Sequence, residues 1–496
     1  MAALIKKLLP DPARSRTVMK LAAPIMAAML TQTFINLLDT ILVGYLPKEY
    51  SIAGQAGLGY SVILHWLIGG FVSAISVGTQ AMTARRLGEG DKFGAGKVAF
   101  NSAVVALIAG SAVTVLAVVF TRPLFRLFSS NEQVLAQGVP YCRARFAAIL
   151  AMVGTLSIKS FFDGIGKTYY HLITAVIMNL LNALLAYALV FGALGLPRMN
   201  VLGAGVAAAI ASYFGLFLMV GWTLRHKYRE GFRIWRLSNL DWGVARSVVR
   251  ISLPSGVATV FVMTGFLLFF KWVGLLDART TEDGSQGLEA VRFRWLEAIQ
   301  PFGLSRDGFQ ALLRTQAPVF EAATKVMIDI LSISFMSCMG LGVATATLVS
   351  QNLGRKQPEE AEQFAWTAVK LAAWFTGIMG LIALVFPDQF MGLFTHDSEV
   401  VEAGRLPLRM VGAVESLLGF GMVLAQALFG AGNTRFVMKV EITLHTVCLV
   451  PLSYFLGITL NLKLAGIWLA AIIYMVALAA IMTWKFRSGT WKQIKI

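Results

Sequence analysis

The chain has 496 residues, of which 57% are hydrophobic and only 14% charged, and its formal net charge is +17. So apolar a chain cannot keep its surface in water, which excludes a soluble globular protein. The basic residues lie in short loops between apolar stretches rather than in one patch. The charge therefore indicates contact with anionic lipid and not with nucleic acid.

Twelve apolar windows follow one another, each long enough to cross a hydrocarbon core of about 30 Å as a helix. In chain order they cover residues 18–44, 57–84, 98–120, 141–163, 168–193, 202–224, 249–275, 320–350, 364–386, 405–430, 435–459 and 464–484. We therefore predict an all-α integral membrane protein with about twelve transmembrane helices. No short apolar core with a cleavage site precedes the first window, so no signal peptide is expected.

Lysine and arginine favour the loops on one side of these windows. Arg85, Arg86, Lys92 and Lys97 follow the second window, whereas the loop after the first window has only Lys48. Basic loops stay on the cytoplasmic side. Both termini are therefore expected in the cytoplasm, in a multi-pass protein of the cell (inner) membrane.

The two halves of the chain repeat each other. Pro24 in the first window matches Pro254 in the seventh, an offset of 230, and Gly88 matches Gly354, an offset of 266. The second half therefore holds 36 extra residues (266 − 230). Because six helices per half is an even number, both halves insert in the same orientation. We predict two six-helix bundles related by pseudo-two-fold symmetry about an axis near the membrane normal.

The repeat also predicts the domain organisation. The segments are a cytoplasmic N-terminal segment 1–17, a first lobe 18–224, a cytoplasmic linker 225–248, a second lobe 249–484 and a cytoplasmic tail 485–496. The extra residues form a polar insertion at about 277–315 on the outer side. It is expected to be either a pair of surface helices at the exit or a plain loop expansion.

Several segments carry a resemblance that covers nearly the whole chain. They are LAAPIMAAMLTQTFINLLDTILVGYL, GTQAMTARRLGEGD, FFDGIGKT followed by NLLNALLAYALVFG, VLGAGVAAAIAS, and ALFGAGNT. In this order they resemble the multidrug and toxic compound extrusion (MATE) family, within the multidrug/oligosaccharidyl-lipid/polysaccharide flippase superfamily. The resemblance implies two bundles around a central cavity. It also implies export of cationic or amphipathic compounds in exchange for protons or sodium ions, without a cofactor.

Asp39 is a carboxylate inside the first window, where a charge costs at least about 2.5 kcal/mol on insertion scales. Asn36 and Gln32 share its helical face. Its repeat partner is Phe269, so the fold does not require a carboxylate there. The resemblance also places the family's coupling aspartate at this position. We predict that Asp39 binds the coupling ion; the alternative is a carboxylate hydrated at the outer end of its helix.

Polar residues of the fifth and sixth windows extend this predicted site, namely Asn179, Asn182 and Ser212. Their oxygens beside Asp39 suit sodium, whereas a desolvated carboxylate can bind a proton instead. Related proteins often have a second aspartate where this chain has Ala186, so the comparison with the family favours protons. A sodium site at Asp39 is the alternative, and no other metal site is predicted.

A substrate cavity between the lobes is predicted from one carboxylate and several adaptable side chains. Glu415 lies inside the tenth window, where it would either attract cations or bond a neighbouring helix. Flexible and aromatic residues, with one amide, would line a cavity for amphipathic cations: Gln32, Met26, Phe34, Phe261 and Met263.

Prolines and glycines mark the predicted hinges and gates. Pro24 and Pro254 each remove a backbone hydrogen bond inside the first helix of a half, which predicts bends there. Glycines of the DGIGKT and FGAGNT segments allow close backbone approach at inner turns: Gly164, Gly166, Gly430 and Gly432.

Two other functions fit the sequence less well. A lipid-linked oligosaccharide flippase would need a cavity rich in arginine and lysine, and few cations lie inside the windows. A membrane-embedded enzyme would need a motif such as HExxH or a phosphate loop, and the chain has neither. We therefore predict a monomeric secondary antiporter, not an enzyme. Its partners would be small organic cations or amphipathic drugs and the lipid bilayer.

Overall fold

The computed structural model describes residues 10–126, 132–281, 319–395 and 397–494, without the side chains of residues 32–37, 40, 48, 49, 52, 56 and 278–281. This part of the chain is helical and contains no strand. Its helices follow the predicted windows in order, and we number them as spans one to twelve.

The first half contains six spans, each made of one helix or of two consecutive helices. In order they are Pro12–Gly44, Lys48–Ser73 with Ile75–Gly88, Lys92–Val119, Glu132–Ala147 with Ile149–Gly164, Tyr169–Phe191, and Val201–Leu224. The short helices Thr121–Arg126 and His226–Phe232 and the 3₁₀ turn Leu237–Asn239 lie outside the spans.

The second half repeats this order. Its spans are Trp242–Thr281, Val319–Gly354, Pro358–Val385, Ser398–Val414 with Ser416–Gly430, Thr434–Thr459, and Lys463–Arg487. The eleventh span contains the helices Thr434–Thr443 and Val450–Tyr454 and two π-helical segments, Leu444–Leu449 and Phe455–Thr459. The short helix Pro387–Gly392 and the 3₁₀ turn Thr490–Gln493 complete the described chain.

Length and apolar composition allow ten helical segments of the described part to cross a membrane. The tenth span, which is bent by 58° between its two helices, raises this number to as many as eleven. The helix Pro12–Gly44 accounts for the remaining predicted span. The predicted all-α membrane fold in two bundles is confirmed.

Both ends of the described chain lie at one end of the molecule, which we call the terminal end. Arg14 Nη2 lies 3.1 Å from Oε1 of Glu360 at the start of the ninth span. Arg85, in the last turn of the second span, donates from Nη1 to the carbonyl oxygen of Ile494 over 3.4 Å. The first turns of the chain, the last turn of the second span and the C-terminal segment therefore share this end.

The beginning of the first helix of each half packs against the opposite bundle. Val18 and Ala22 belong to a buried apolar cluster otherwise built from second-half residues. Val248 and Ile251 of the seventh span belong to one otherwise built from first-half residues. Val18 and Val248 are 230 residues apart, so this exchange obeys the internal repeat. Burial of these apolar stripes joins the two lobes.

Two glycines display the pseudo-two-fold symmetry directly. A Cβ atom on Gly88 would meet the backbone of Gln351, and one on Gly354 would meet the backbone of Arg85. Gly88 and Gly354 are 266 residues apart, as are Arg85 and Gln351. The two contacts therefore exchange under a two-fold rotation, and glycine permits this approach of the two backbones.

An aspartate begins the first helix of each half, again at an offset of 230. Oδ1 of Asp11 accepts a hydrogen bond from the backbone N–H of Arg14 over 2.8 Å. Oδ1 of Asp241 accepts one from the backbone N–H of Gly243, also over 2.8 Å. Each carboxylate satisfies a free N–H group at a helix start, so the two helices begin before the predicted windows.

Breaks in the helices lie where the sequence did not predict them. The second, fourth and tenth spans are interrupted at Ala74, Ala148 and Glu415, which keep near-helical backbone angles. Pro24 and Pro254 instead lie inside uninterrupted helices. None of the three breaks holds a proline or glycine, so the usual sequence signal is absent there.

The predicted insertion at 277–315 lies mostly outside the described residues. The seventh span continues through its first residues and ends at Thr281. Asp277 accepts hydrogen bonds from the backbone N–H groups of Phe320 and Glu321, each over 2.9 Å. This carboxylate caps the first turn of the eighth span and so fixes the base of the insertion.

Candidate functional site

Asp39 lies on the first span and contacts the fifth. The residue is only 4% exposed, and Asn182 Nδ2 donates a hydrogen bond to its Oδ1 over 3.3 Å. Because burial removes the carboxylate from water, its charge must be balanced by such donors or removed by protonation. The structure thus brings together two of the residues that the sequence assigned to the coupling site.

The carbonyl group of the Asn182 side chain, unlike its NH₂ group, makes no hydrogen bond in the described part of the chain. Its oxygen, Oδ1, is buried. A carboxamide presents a donor and an acceptor side by side, and so does a protonated carboxyl group. An ionised carboxylate can only accept. The vacant acceptor beside Asp39 therefore matches the neutral form of Asp39.

Asn179 stands one turn from Asn182 and also bonds the first span. Its Nδ2 donates to Oγ1 of Thr31 over 3.1 Å, and that hydroxyl donates to the carbonyl oxygen of Ala28 over 2.8 Å. Thr31 was missed in the sequence because a threonine inside a helix has no distinctive pattern. The two asparagines together hold the first and fifth spans in register.

Arg145 is a positive charge near Asp39 that was not assigned to the site. It lies on the fourth span, three residues before the break at Ala148. Its charge interacts with Asp39 and with His65 of the second span, and His65 is itself buried. The signal was available, because an ionisable residue inside an apolar window is a functional candidate.

Some residues predicted for the coupling site are not seen to join it. Ser212 donates its hydroxyl hydrogen to the carbonyl oxygen of Ala208 in its own helix over 2.7 Å. The side chain of Asn36, on the first span, falls outside the described part of the chain, as do those of Gln32 and Phe34, which were predicted for the substrate cavity.

The residues predicted for the substrate cavity are spread over both lobes. Glu415 is 3% exposed and occupies the bend of the tenth span. Met26 packs on the eighth span, where a Cβ atom on Gly340 would meet its side chain. Phe261 is 38% exposed and Met263 is half-buried, both on the seventh span.

Hydrogen bonds from side chains join the two lobes at the terminal end. Gln351 of the eighth span donates to the carbonyl oxygen of Gly164 over 2.7 Å. Gln80 of the second span donates to Thr347 Oγ1 over 2.8 Å, and Ser350 donates to the carbonyl oxygen of Ala81 over 2.7 Å. These bonds form a seal between the lobes.

The predicted gate glycines border this seal. Gly164 and Gly430 end the fourth and tenth spans, and a Cβ atom on Gly430 would lie 2.7 Å from Cα of Ala346 in the eighth span. Gly166 and Gly432 follow them with φ of +74° and +88°. Positive φ angles favour glycine, so both turns depend on these residues.

Two lobes joined at one end, each crossing the membrane, with a buried polar site inside one lobe, define a class of protein. This class is the multi-pass membrane transporter.

The chain belongs to the MATE family, because the MatE family model matches residues 24–188 and 318–455. The two matched segments fall one in each half, which agrees with the internal repeat.

Curated relatives cover almost the same length. The chain is 24% identical over 495 residues to the probable multidrug resistance protein NorM of Thermotoga maritima, with 99% of this chain and 96% of the relative covered. It is 25% identical over 478 residues to the multidrug resistance protein NorM of Burkholderia vietnamiensis, with 95% and 93% covered.

Solved structures share the fold. One is a MOP superfamily transporter from Pyrococcus furiosus described as having a binding pocket of reverse polarity, with a TM-score of 0.80, 20% identity, and 99% and 98% of the two chains covered. Another is the outward-facing conformation of a multidrug resistance MATE family transporter, with a TM-score of 0.80, 20% identity and 98% of both chains covered.

Proposed function

We propose that this transporter exports cationic or amphipathic small molecules from the cell by proton antiport with alternating access. The observation that carries the proposal is the pair formed by Asp39 and Asn182, with its vacant buried acceptor. A proton on Asp39 Oδ2 would let the carboxyl group donate to Asn182 Oδ1 while Oδ1 of Asp39 still accepts from Nδ2. One proton would thus satisfy the amide and remove a buried charge.

Sodium fits the same place less well. A sodium ion bound to Asp39 would lie near the positive charge of Arg145, and like charges repel. Ala186 offers no further ligand, and sodium binding needs several oxygen ligands. These features favour the proton as the coupling ion.

The seal at the terminal end supports alternating access. Arg14 and Arg85 both lie at this end, and basic loops remain on the cytoplasmic side. With both termini in the cytoplasm, the closed end faces the cell interior. The lobes 18–224 and 249–484 would then rock about the seal, and protonation of Asp39 would favour one of their two arrangements.

The substrate class rests on the relatives and on one carboxylate. Two curated relatives are named as multidrug resistance proteins. Glu415, buried at the bend of the tenth span, would attract cations in the second lobe. The adaptable residues Met26, Phe261 and Met263 would accept substrates of varied shape. We propose that a single chain, in the cell membrane, carries out the whole cycle.

The test is transport by purified protein in liposomes. Efflux of a cationic dye is measured under an imposed pH gradient or an imposed sodium gradient for wild type, Asp39→Asn and Asp329→Asn. Asp329 makes an exposed ion pair with Lys325, so its variant matches the chemical change away from the site. We expect pH-driven efflux in wild type and Asp329→Asn and none in Asp39→Asn. Efflux that follows only the sodium gradient, or an active Asp39→Asn, contradicts the proposal.

A further inference from the structure

Three titratable side chains meet inside the second lobe, away from Asp39. Tyr474 of the twelfth span donates from Oη to Oε2 of Glu441 over 3.0 Å. His445 lies one turn further along the eleventh span, and its Nδ1 is 3.6 Å from the same oxygen. The side chains of His445 and Glu441 are 2% and 16% exposed. We call Glu441, His445 and Tyr474 the second-lobe triad.

The triad occupies the counterpart of the Asp39 region. His445 is the repeat partner of Asn179, 266 residues further on. The seventh span, which is the partner of the first, lies against it: a Cβ atom on Gly265 would be 2.7 Å from Cδ2 of His445, and the ring centroids of Phe266 and His445 are 6.3 Å apart. The two lobes therefore place different titratable groups between equivalent pairs of helices.

The backbone at the triad is irregular. The eleventh span widens into a π-helix over Leu444–Leu449, which includes His445. Such segments are rare and are frequently found at functional sites. In this one the imidazole packs edge to face on Tyr474, with ring centroids 4.7 Å apart.

The hydrogen-bond geometry assigns the tautomer of His445. Its Nδ1 lies 2.8 Å from the backbone carbonyl oxygen of Glu441. A carbonyl oxygen only accepts, so Nδ1 carries the hydrogen and Nε2 keeps a lone pair. A neutral imidazole with an open acceptor thus stands beside a carboxylate that already accepts from Tyr474.

We propose that the second-lobe triad is a second proton-binding site, which rests on the proton antiport proposed above. The incoming proton bonds to the lone pair of His445 Nε2 or to the Glu441 carboxylate, and no other bond breaks. The triad then passes from one negative charge to none, which is favourable in an apolar interior. The π-helix supplies a segment whose packing can respond to this change.

The groups around the triad support this charge balance. Cys448 of the eleventh span is another titratable group near Tyr474, and its thiol is neutral near pH 7. The seventh span contributes the backbone of Gly265 and the apolar ring of Phe266, and the twelfth contributes Tyr474 itself. These groups therefore shield an ion pair between a protonated His445 and Glu441 from water.

The first test counts protons directly. Purified wild type, Glu441→Gln and Thr446→Ala are titrated between about pH 5 and pH 8, the range in which imidazole charge changes. Thr446 is exposed on the same helix and bonds only its own helix, to Ile442, over 2.7 Å, so its variant is the matched control. We expect Glu441→Gln to bind about one proton fewer than wild type and Thr446→Ala to bind the same number. If Glu441→Gln binds as many protons as wild type, the proposal that the triad binds a proton is overturned.

The second test separates this inference from the proposed function. In liposomes, the pH-driven dye efflux of Glu441→Gln should fall about fivefold or more, a typical coupling effect, with a shifted pH profile. If Asp39→Asn is inactive while Glu441→Gln keeps the wild-type rate and pH profile, the second proton-binding site is disproved and the proposed proton antiport is supported. If wild type shows no pH-driven efflux, antiport is wrong, and the proton count alone decides the triad. Should Glu441→Gln fail to fold, Tyr474→Phe must shift the pH profile, since it removes one hydrogen bond and keeps the ring.

Discussion

The two lobes share their packing and differ in the groups that they bury. In the first lobe, Asp39 on the first span is held by Asn182 of the fifth. In the second lobe the position of Asp39 is taken by Phe269, whose ring packs edge to face on Trp468 with centroids 5.5 Å apart. Glu441 and Tyr474, on the eleventh and twelfth spans, are titratable groups that the second lobe buries instead.

This difference separates two kinds of residue. Positions that match across the repeat, such as Gly88 and Gly354, build the shared architecture. Positions that differ, such as Asp39 and Phe269, are those to which we assign a proposed function of one lobe alone. Substitutions at matched positions should therefore have equal effects in the two lobes, and substitutions at unmatched positions should not.

The largest effect is expected at the matched glycines of the terminal end. Gly88→Val and Gly354→Val each drive a side chain into the backbone of the opposite lobe, which cannot yield as a flexible side chain would. We expect a penalty at the upper end of the range of about 1–3 kcal/mol for overpacking, and loss of efflux in both variants. Dye efflux and thermal unfolding in detergent check this. A severe defect in only one of the two would break the symmetry argument.

A large and unequal effect is expected at Asn182 and its repeat partner, Cys448. Asn182→Ala removes the hydrogen bond to Asp39, and a bond to a charged group contributes about 1.5–3 kcal/mol. Efflux at neutral pH should fall by about tenfold or more, whereas Cys448→Ala should stay close to wild type. Comparable efflux from the two variants would show that Asn182 has no role in the coupling site.

A smaller effect is expected where Thr31 joins the first and fifth spans. Thr31→Val keeps the shape of the side chain and removes the acceptor of Asn179. The loss of one neutral hydrogen bond should lower the free energy of unfolding by about 0.5–1.5 kcal/mol. Thr446→Val, at an exposed site on the eleventh span, is the control. If thermal unfolding gives both variants the stability of wild type, Thr31 does not stabilise the contact between the first and fifth spans.

The smallest effect is expected at Asp241, which begins the seventh span as Asp11 begins the first. A hydrogen bond from Lys97, together with backbone N–H groups, lowers the pKa of the exposed Asp241 carboxyl below its ordinary value. A depressed folded-state pKa stabilises the fold above the ordinary value, and this gain is lost as the pH falls through the folded value. The melting temperature of Asp241→Asn should therefore lie slightly below that of wild type at pH 7, with the gap closing below about pH 4. A gap that persists in acid would assign the effect to packing.

Much of the fold could be predicted from the order of residues in the sequence. Apolar windows predicted the helices, and the offsets from Pro24 to Pro254 and from Gly88 to Gly354 predicted the symmetry. The helix bounds were less accurate, since the caps at Asp11 and Asp241 start both first helices several residues earlier.

The candidate site was only partly predictable. Asp39 and the two asparagines stand out because polar groups are costly in apolar windows. Arg145 stands out for the same reason, but the sequence does not show that it lies near Asp39. Thr31 has no feature in the sequence that marks it. Glu441 and His445 are four residues apart on one helix, yet their third member, Tyr474, comes from another span.

The sequence by itself determined the number of helices, their order and the duplicated plan, because these depend on local apolar length and on spacing along the chain. Only the tertiary structure decided which polar groups meet, since contacts between spans depend on helix rotation and depth. It also placed the breaks at Ala74, Ala148 and Glu415, because none of these residues is a proline or glycine that would signal an interruption in the sequence.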